Sequence, residues 1–309
     1  MTYSLTDSQK SLAKRMDDLS IKIVTKSEKK GFSNSKCKEL GELEKLLETR
    51  DALYLPYTVK NKNFITASKL KDFQNCSLKY QRKYVDLEVS EIEEDEAHFR
   101  IGSAFDAWLT ESQSFFEENY PTVARRSGTN LNELTRAESK KVHQMAGEFY
   151  SNQTMNHQPK KRVFVFAKEG LLFKAELDDG SQIETDKLFT DLKTTANILT
   201  FSPLKFGYPL SMSFYQMAIE ERLGLICDGK LSAIDKNPAF ARSHSYILSA
   251  NDLKNYQESV LHPLIKNVVL TQKSELYYPC GNWEECCDCE YYTICSHARQ
   301  TEPEYFDIS

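Results

Sequence analysis

The sequence predicts an α/β protein, a small mixed sheet with helices before and after it in the chain. Two observations lead there. Apolar residues recur at helical spacing up to about residue 150 and again beyond residue 208. Between those stretches the apolar period falls to two, the spacing of half-buried strands. The chain has 309 residues, 40% apolar and 28% charged, which is enough for one large domain or two smaller ones. No apolar run approaches the ~18 residues that cross a membrane. The N-terminal "MTYSLTDSQKSLAKRMDDL" has no apolar signal core. A soluble, cytoplasmic protein with no membrane contact is expected.

Residues 1–60 read as a helical extension. "TDSQ" at Thr6 to Gln9 fits a capping box and opens one helix, and Leu40, Leu43, Leu46 and Leu47 make the stripe of a second. The polar "KSEKKGFSNSK" between them reads as a loop. Residues 61–309 then form the main domain. "FITASKLKDFQNCSLKYQRKYVDL" reads as a helix with Ser68 as N-cap and Leu70, Phe73 and Leu78 as its stripe. The acidic "EVSEIEEDEAH" reads as a solvated loop. "FRIGSAFDAWLTESQSFF" is a helix that turns Phe105, Trp108 and Leu109 to a core, and "TRAESKKVHQMAGEFY" is another. "KRVFVFAKEGLLFKAELDD" gives two strands about a Lys168-Glu169-Gly170 turn, and "KLFTDLKTT" gives a third. "SMSFYQMAIEERLG" returns to helix, and "NDLKNYQESVLHPLIKNVVLTQKS" is a long helix or a helix pair.

The strand region carries the chemistry. Asp178 closes one strand, and Asp191 and Lys193 sit two apart on the next, hence on one face. Two carboxylates and a lysine at adjacent strand ends suit metal-assisted phosphodiester hydrolysis. The carboxylates, with the Leu192 carbonyl as a further oxygen, hold Mg²⁺ or Mn²⁺. The lysine orients the water or stabilises charge at phosphorus. Glu176 shares the face of Asp178 and is either an accessory acid or buried beside Lys174.

The C-terminal "CCDCEYYTIC" holds four of the eight cysteines. In a reducing compartment, clustered thiols point to a metal rather than to disulfides. Cys286, Cys289 and Cys295 form a three-ligand set that needs a fourth for Zn²⁺ or a [4Fe-4S] cluster, from Cys280 nearby or Cys76 far upstream. Cys287 falls outside that set, and Cys37 and Cys227 read as packing residues. A net charge of −5 argues against a protein that coats nucleic acid, but not against a local basic groove. Arg125 and Arg126, Lys140 and Lys141, and Lys160, Lys161 and Arg162 form basic patches. With Phe149, Tyr150, Phe164 and Phe166 they are candidates to line a strand channel.

"AELD", a turn and "TDLKTT" resemble the PD-(D/E)XK nuclease superfamily in its RecB-like branch. The resemblance implies a restriction-endonuclease-like core. It implies a metal ligand four residues after the glycine of "GSAFDAWL", where this chain has Asp106 and the branch has His. It also implies that Gln216 of "SFYQMAIEERLG", after Tyr215, binds the DNA backbone near the metal. The Tyr usual four residues beyond is Glu220 here. "SKLKDFQNCSLKY" resembles the helix that carries the first cysteine of the iron-sulfur nucleases, AddB-like recombination nucleases and CRISPR-associated adaptation nucleases. Ser77 stands where they usually have Pro. By that resemblance Cys76, Cys286, Cys289 and Cys295 hold [4Fe-4S], with Zn²⁺ as the competitor. The implied function is a Mg²⁺- or Mn²⁺-dependent exonuclease acting on DNA ends or single strands, beside a helicase, recombinase or single-strand annealing protein. A decayed DNA-binding module and a nuclease trimming DNA for CRISPR adaptation are the alternatives.

Overall fold

Thr6 starts the chain's first helix as an N-cap, with its side chain accepting from Gln9 N and the Gln9 side chain reaching back to Thr6 N. The computed structural model describes residues 5–88, 96–125, 132–152, 158–204, 207–236 and 242–280, with Cys286, Cys289, Tyr291 and Cys295. The N-terminal region comprises α1 (Asp7–Ser27), α2 (Lys38–Leu47) and the single turns α3 (Arg50–Leu53) and α4 (Tyr57–Lys60). Leu12, Met16, Leu19 and Ile23 of α1 pack on Leu40, Leu43, Leu46 and Leu47 of α2, the stripe that the periodicity predicts.

The next helix, α5 (Ala67–Asn75), is capped by Thr66, not Ser68. Ile65 is still extended and bridged to Phe173, so the first residue free to cap is Thr66, whose Oγ1 accepts from Lys69 N. The helix stops at Cys76, which has extended dihedrals (φ −157°, ψ 109°) and caps the short α6 (Ser77–Tyr80); a π turn follows. The one helix expected here is thus broken at the cysteine, and Tyr80 takes the core position assigned to Leu78. Then come α7 (Glu96–Thr110), α8 (Gln113–Asn119), the two-residue β1 (Thr122–Val123) and β2 (Leu134–Thr135), and α9 (Arg136–Asn152). Most of the acidic run before α7 lies outside the described residues.

The sheet begins with a hairpin, β3 (Arg162–Lys168) and β4 (Leu171–Leu177). Its two-residue turn puts Glu169 and Gly170 at positive φ (56° and 79°), the primed geometry that matches strand twist. One hairpin face, with Val163, Val165 and Leu172, buries against the N-terminal helices. The other, with Phe164, Phe166, Phe173 and Ala175, faces the central core. The free edge of β3 is closed by side chains: Glu48, Glu44 and Asn34 accept from the amides of Val163, Val165 and Ala167 (3.1, 2.8 and 2.8 Å). Unpaired strand edges invite association, and these three acceptors use up the donors on this one. Arg222 clamps Glu44 with two bonds (2.7 and 2.8 Å).

β5 (Leu188–Thr195) joins the hairpin through a bridge between Asp179 and Thr190. It pairs in parallel with β6 (Asp228–Asp235), which pairs antiparallel with β7 (Ser243–Leu248). The sheet is therefore mixed. The crossover from β5 to β6 is α10 (Tyr208–Leu223), lodged in the core through Leu210, Met212, Phe214 and Ile219. α7 and α9 cover the opposite face, around Leu192 and Ile234. The chain then runs through α11 (Ala250–Tyr256), a π turn and α12 (His262–Ser274) as one interrupted helix. Among the described residues no helix is long and apolar enough to cross a membrane.

Candidate active site and cysteine cavity

The paired aspartates after β4 divide their work. Asp179 exchanges two backbone bonds with Thr190 of β5 (3.0 and 2.9 Å). Its carboxylate builds the turn, accepting from Lys160 N, Ser181 N and Ser181 Oγ. Asp178 is left facing β5, where its Oδ2 accepts from Leu192 N at 2.7 Å.

Asp191 and Lys193 project from one face of β5, as the period of two requires. Lys193 Nζ lies 2.8 Å from Asp191 Oδ2 and 3.8 Å from Asp178 Oδ2, and donates to the Leu192 carbonyl at 3.0 Å. Asp191 is 1% exposed. Burial opposes the charge on Lys193, yet Asp191 and Asp178 push its pKa well above the ordinary range. Burial lifts Asp178 to about 6, against the pull of Lys193 and with the push of Asp191.

Asp106 reaches the same place from α7. The helix comes close to β5 at Gly102, where a Cβ would lie 3.1 Å from Thr194 Oγ1. Burial, then Asp178, raises Asp106 to about 6. Lys161, just before β3, binds Asp106 Oδ2 at 2.7 Å and Glu111 Oε1 at 3.3 Å. Asp106 Oδ1 is buried and has no hydrogen-bond partner. A larger residue at 102 should push α7 and Asp106 away from Asp178. A shift of about 1 Å at a catalytic group can cost about a hundredfold in rate. Gly102→Leu is expected to lower any activity of this site tenfold or more, with circular dichroism showing the helices retained.

The structure thus gathers Asp106, Asp178, Asp191, Lys193 and the Leu192 carbonyl. It does not bring Gln216 to them. That side chain is 0% exposed and accepts from Cys227 N at 2.9 Å while donating to Leu225 O, so its amide holds the α10–β6 connection. Its neighbour Tyr215 faces the site instead. Burial, then Asp191, raises its phenol. Lys161 was legible only as one of three basic residues. The structure separates them, with Lys161 on Asp106 and Arg162 paired with Glu184 at 2.6 Å. The expected stacking aromatics are mostly core: Phe149, Phe164 and Phe166 are buried, and Tyr150 is exposed. Arg125 is exposed, and Arg126 lies outside the described residues. Glu176 pairs with Lys174 at 2.9 Å and Lys60 at 3.2 Å.

These oxygens fit a hard divalent cation by donor type. The buried, unpartnered Asp106 Oδ1 is one acceptor, and the Lys193 ammonium already rests among three more. Among the described residues no three His, Cys, Asp or Glu side chains are gathered tightly enough to hold a metal ion. Lys161 and Lys193 partner the carboxylates instead.

A second site lies at the other end of α5. The segment after α12 docks on α6: Ser77 Oγ and Leu78 N both donate to Tyr278 O (2.9 and 3.1 Å), and Tyr278 N donates back to Ser77 Oγ. Gln272 donates to the Tyr80 hydroxyl at 2.9 Å. This brings the chain end to Cys76, and Cys76, Cys280, Cys286, Cys289 and Cys295 line one cavity. Cys280 and Cys286 have their sulfurs 3.4 Å apart, and none of the five is joined in a disulfide. Burial raises the Cys76 thiol. The long-range link to Cys76 and the local thiol Cys280 are therefore both present, while Cys287 lies outside the described residues. Cys37 and Cys227 pack elsewhere, Cys227 fully buried.

A mixed sheet under helices, with two aspartates and a lysine at adjacent strand ends, places the chain in the PD-(D/E)XK nuclease superfamily. It belongs to the family described as "PDDEXK-like domain of unknown function (DUF3799)", matched over residues 66–289. A crystal structure described as a "Putative exonuclease" from Eubacterium rectale shares the fold, with TM-score 0.58 and 17% identity over 84% of this chain and 96% of that one. The crystal structure of SSO0001 is more distant, with TM-score 0.30 and 13% identity over 70% of this chain and 94% of that one. No curated protein matches the chain.

Proposed function

We propose that this chain is a divalent-metal-dependent deoxyribonuclease. It acts at DNA ends, as an exonuclease of recombination, repair or phage DNA processing. The convergence of Asp178, Asp191 and Lys193, with Asp106 across from them, carries this reading. Asp106, Asp178, Asp191 and the Leu192 carbonyl hold Mg²⁺ or Mn²⁺, and for this Lys161 and Lys193 yield the oxygens they now occupy. When bound, the ion polarises the phosphoryl oxygen and lowers the pKa of a bound water. Lys193, released from Leu192 O, orients the attacking water and offsets charge at phosphorus. Cys76, Cys286, Cys289 and Cys295 hold a [4Fe-4S] cluster of structural role, with Zn²⁺ as the alternative in the same soft thiolate site. Unwinding of duplex DNA falls to a partner such as a helicase, and the product strand to a recombinase or annealing protein.

The test is degradation of labelled single strands, duplexes with ends and covalently closed circles in Mg²⁺ or Mn²⁺. Linear DNA should be degraded and circles spared. Cleaved circles would make the protein an endonuclease. DNA binding without cleavage in any metal would make it a decayed module.

The acids also set a pH dependence. Asp106 and Asp178 titrate near 6 in the fold, against an ordinary 3.8. The metal-free fold therefore favours their protonated forms. Their stabilising contribution is complete below pH 4 and is lost as pH rises through 6. A cation reverses this, because it takes only the ionised forms. The rise in Tm with Mg²⁺ should be large at pH 7.5 and small at pH 5. Half-saturation should need about tenfold more Mg²⁺ per carboxylate at pH 5.

A further inference from the structure

Two lysines bracket Asp178, one from each neighbouring strand. Lys193 comes from β5 and lies 3.8 Å from Asp178 Oδ2. Lys161 comes from the β3 side. Arg162 opens β3 and pairs with Leu177 at the end of β4, so Lys161 and Asp178 are the next residues along the two chains. Residues placed opposite one another on antiparallel strands share a face. The charges of both lysines are felt at Asp178. The carboxylate thus stands between two cations. An in-line displacement at phosphorus likewise has two oxygens to serve, attacking and leaving, on opposite sides.

The two cations are anchored differently. Lys193 rests on Asp191, Asp178 and the Leu192 carbonyl, all oxygens of the candidate metal site. Lys161 has one anchor inside that set, Asp106 at 2.7 Å, and one outside it, Glu111 at 3.3 Å. Glu111 follows the last residue of α7, and Gln158 Nε2 donates to its carbonyl at 3.2 Å. That bond ties the segment leading into Lys161 to the residue that anchors it. When Asp106 gives its oxygens to a cation, Lys161 loses one partner and keeps the other. It then stays beside the site with two of its three ammonium donors open to a substrate. Its side chain is 23% exposed, so it can be reached from solvent.

We propose that Lys161, positioned by Glu111, is the catalytic cation on the leaving oxygen, opposite Lys193 on the attacking water. This role rests on the nuclease reading for its reaction. The water oxygen bonds to phosphorus, and its proton passes to solvent. The bond from phosphorus to the leaving oxygen breaks, and that oxygen keeps the electron pair. The Lys161 ammonium donates a hydrogen bond to it until solvent supplies a proton, and Lys161 itself gives none up. A fixed donor aimed at developing charge is what lowers such a barrier. The pair of lysines thereby covers both oxygens, the task that a second ion performs in two-metal sites.

The experiment compares an ordinary DNA strand with one whose leaving oxygen, 3′ or 5′ as the wild-type products show, is a bridging sulfur. Both are cleaved in Mn²⁺. A thiolate needs little help to leave, since thiols ionise at about pH 8.5 and water at about 15.7. Lys161→Met should slow the oxygen strand about a hundredfold and the sulfur strand less than about threefold. Glu111→Gln, which keeps the pair with Asp106, should show the same split at about tenfold. Lys193→Ala should slow both strands alike. A second readout needs no DNA. The Mg²⁺-induced rise in Tm should persist in Lys161→Met and half-saturate at lower Mg²⁺, because the competitor for Asp106 Oδ2 is gone. Equal slowing of both strands by Lys161→Met and by Glu111→Gln, or loss of the Mg²⁺ rise, makes Lys161 a support of the carboxylates and overturns the proposal. The nuclease reading survives that result, because the wild type still cleaves. Wild-type protein that cleaves neither strand refutes the nuclease reading and the role of Lys161 with it.

Discussion

Lys193→Ala is expected to lower DNA cleavage by about a thousandfold, the upper range for losing one preorganised electrostatic contact. The same substitution should also destabilise the metal-free protein. Lys193 is the cation shared by Asp191 and Asp178. Its removal leaves a carboxylate that is 1% exposed without its counter-charge. Breaking a buried pair from one side costs about 3–5 kcal/mol, less to the extent that Asp178 takes up a proton. A divalent ion bound at the same oxygens, as proposed, would replace the lost charge. The variant should therefore melt well below the wild type in EDTA and regain most of the difference in Mg²⁺, while staying inactive. Binding at a hundred times Kd is worth about 2.7 kcal/mol, enough to see by calorimetry. Wild-type cleavage by the variant would refute the active-site assignment. A melting deficit that Mg²⁺ leaves untouched would place the cation elsewhere.

The site was legible where one strand sets the geometry. Asp191 and Lys193 share a face because they are two apart, and no tertiary information is needed for that. Asp178 followed from the end of the preceding strand. Lys161 was hidden because its neighbours Lys160 and Arg162 are also basic; which of three successive residues turns inward depends on the turn that Asp179 holds. Gln216 failed for a related reason. Adjacent residues on a helix lie about 100° apart, so Tyr215 faces the carboxylates and Gln216 faces the loop at Leu225. In the fold, β6 and β7 carried no readable signal. β7 runs "SHSYIL", with polar residues on both faces of a strand paired on one side. β6 contains Gly229, where a Cβ would come within 2.6 Å of Met212 Cε and 2.9 Å of Phe189 Cζ. That glycine belongs to the packing of α10 on the sheet, a contact between segments that no local pattern records. The helix break at Cys76 was likewise invisible, because "DFQNCSLKY" keeps helical apolar spacing through it.

Cys76→Ala is expected to strip iron from the anaerobically purified protein, abolish its visible absorption and lower its Tm, while Cys280→Ala keeps all three. The structure makes this a sharp comparison, because both thiols line the cavity that Cys286, Cys289 and Cys295 share. Chain topology separates their energetic signatures. A site completed by Cys76 closes the loop between residues 76 and 286, whereas one completed by Cys280 closes only the short loop to residue 295. If a metal link restrains the unfolded chain as a covalent one does, the long loop is worth about 5 kcal/mol and the short one about 3. Hydrogen bonds from Ser77 and Leu78 to Tyr278 hold the two segments together independently of the metal. The Cys76 variant should therefore remain folded at low temperature, with its loss confined to the metal and to thermal stability. Should Cys280→Ala lose the metal and Cys76→Ala keep it, the centre is a local knuckle of the C-terminal segment. Cys76 would then be only the residue at which α5 stops and α6 begins. Colourless wild-type protein with stoichiometric zinc would keep the ligand set and discard the cluster, since four thiolates suit either.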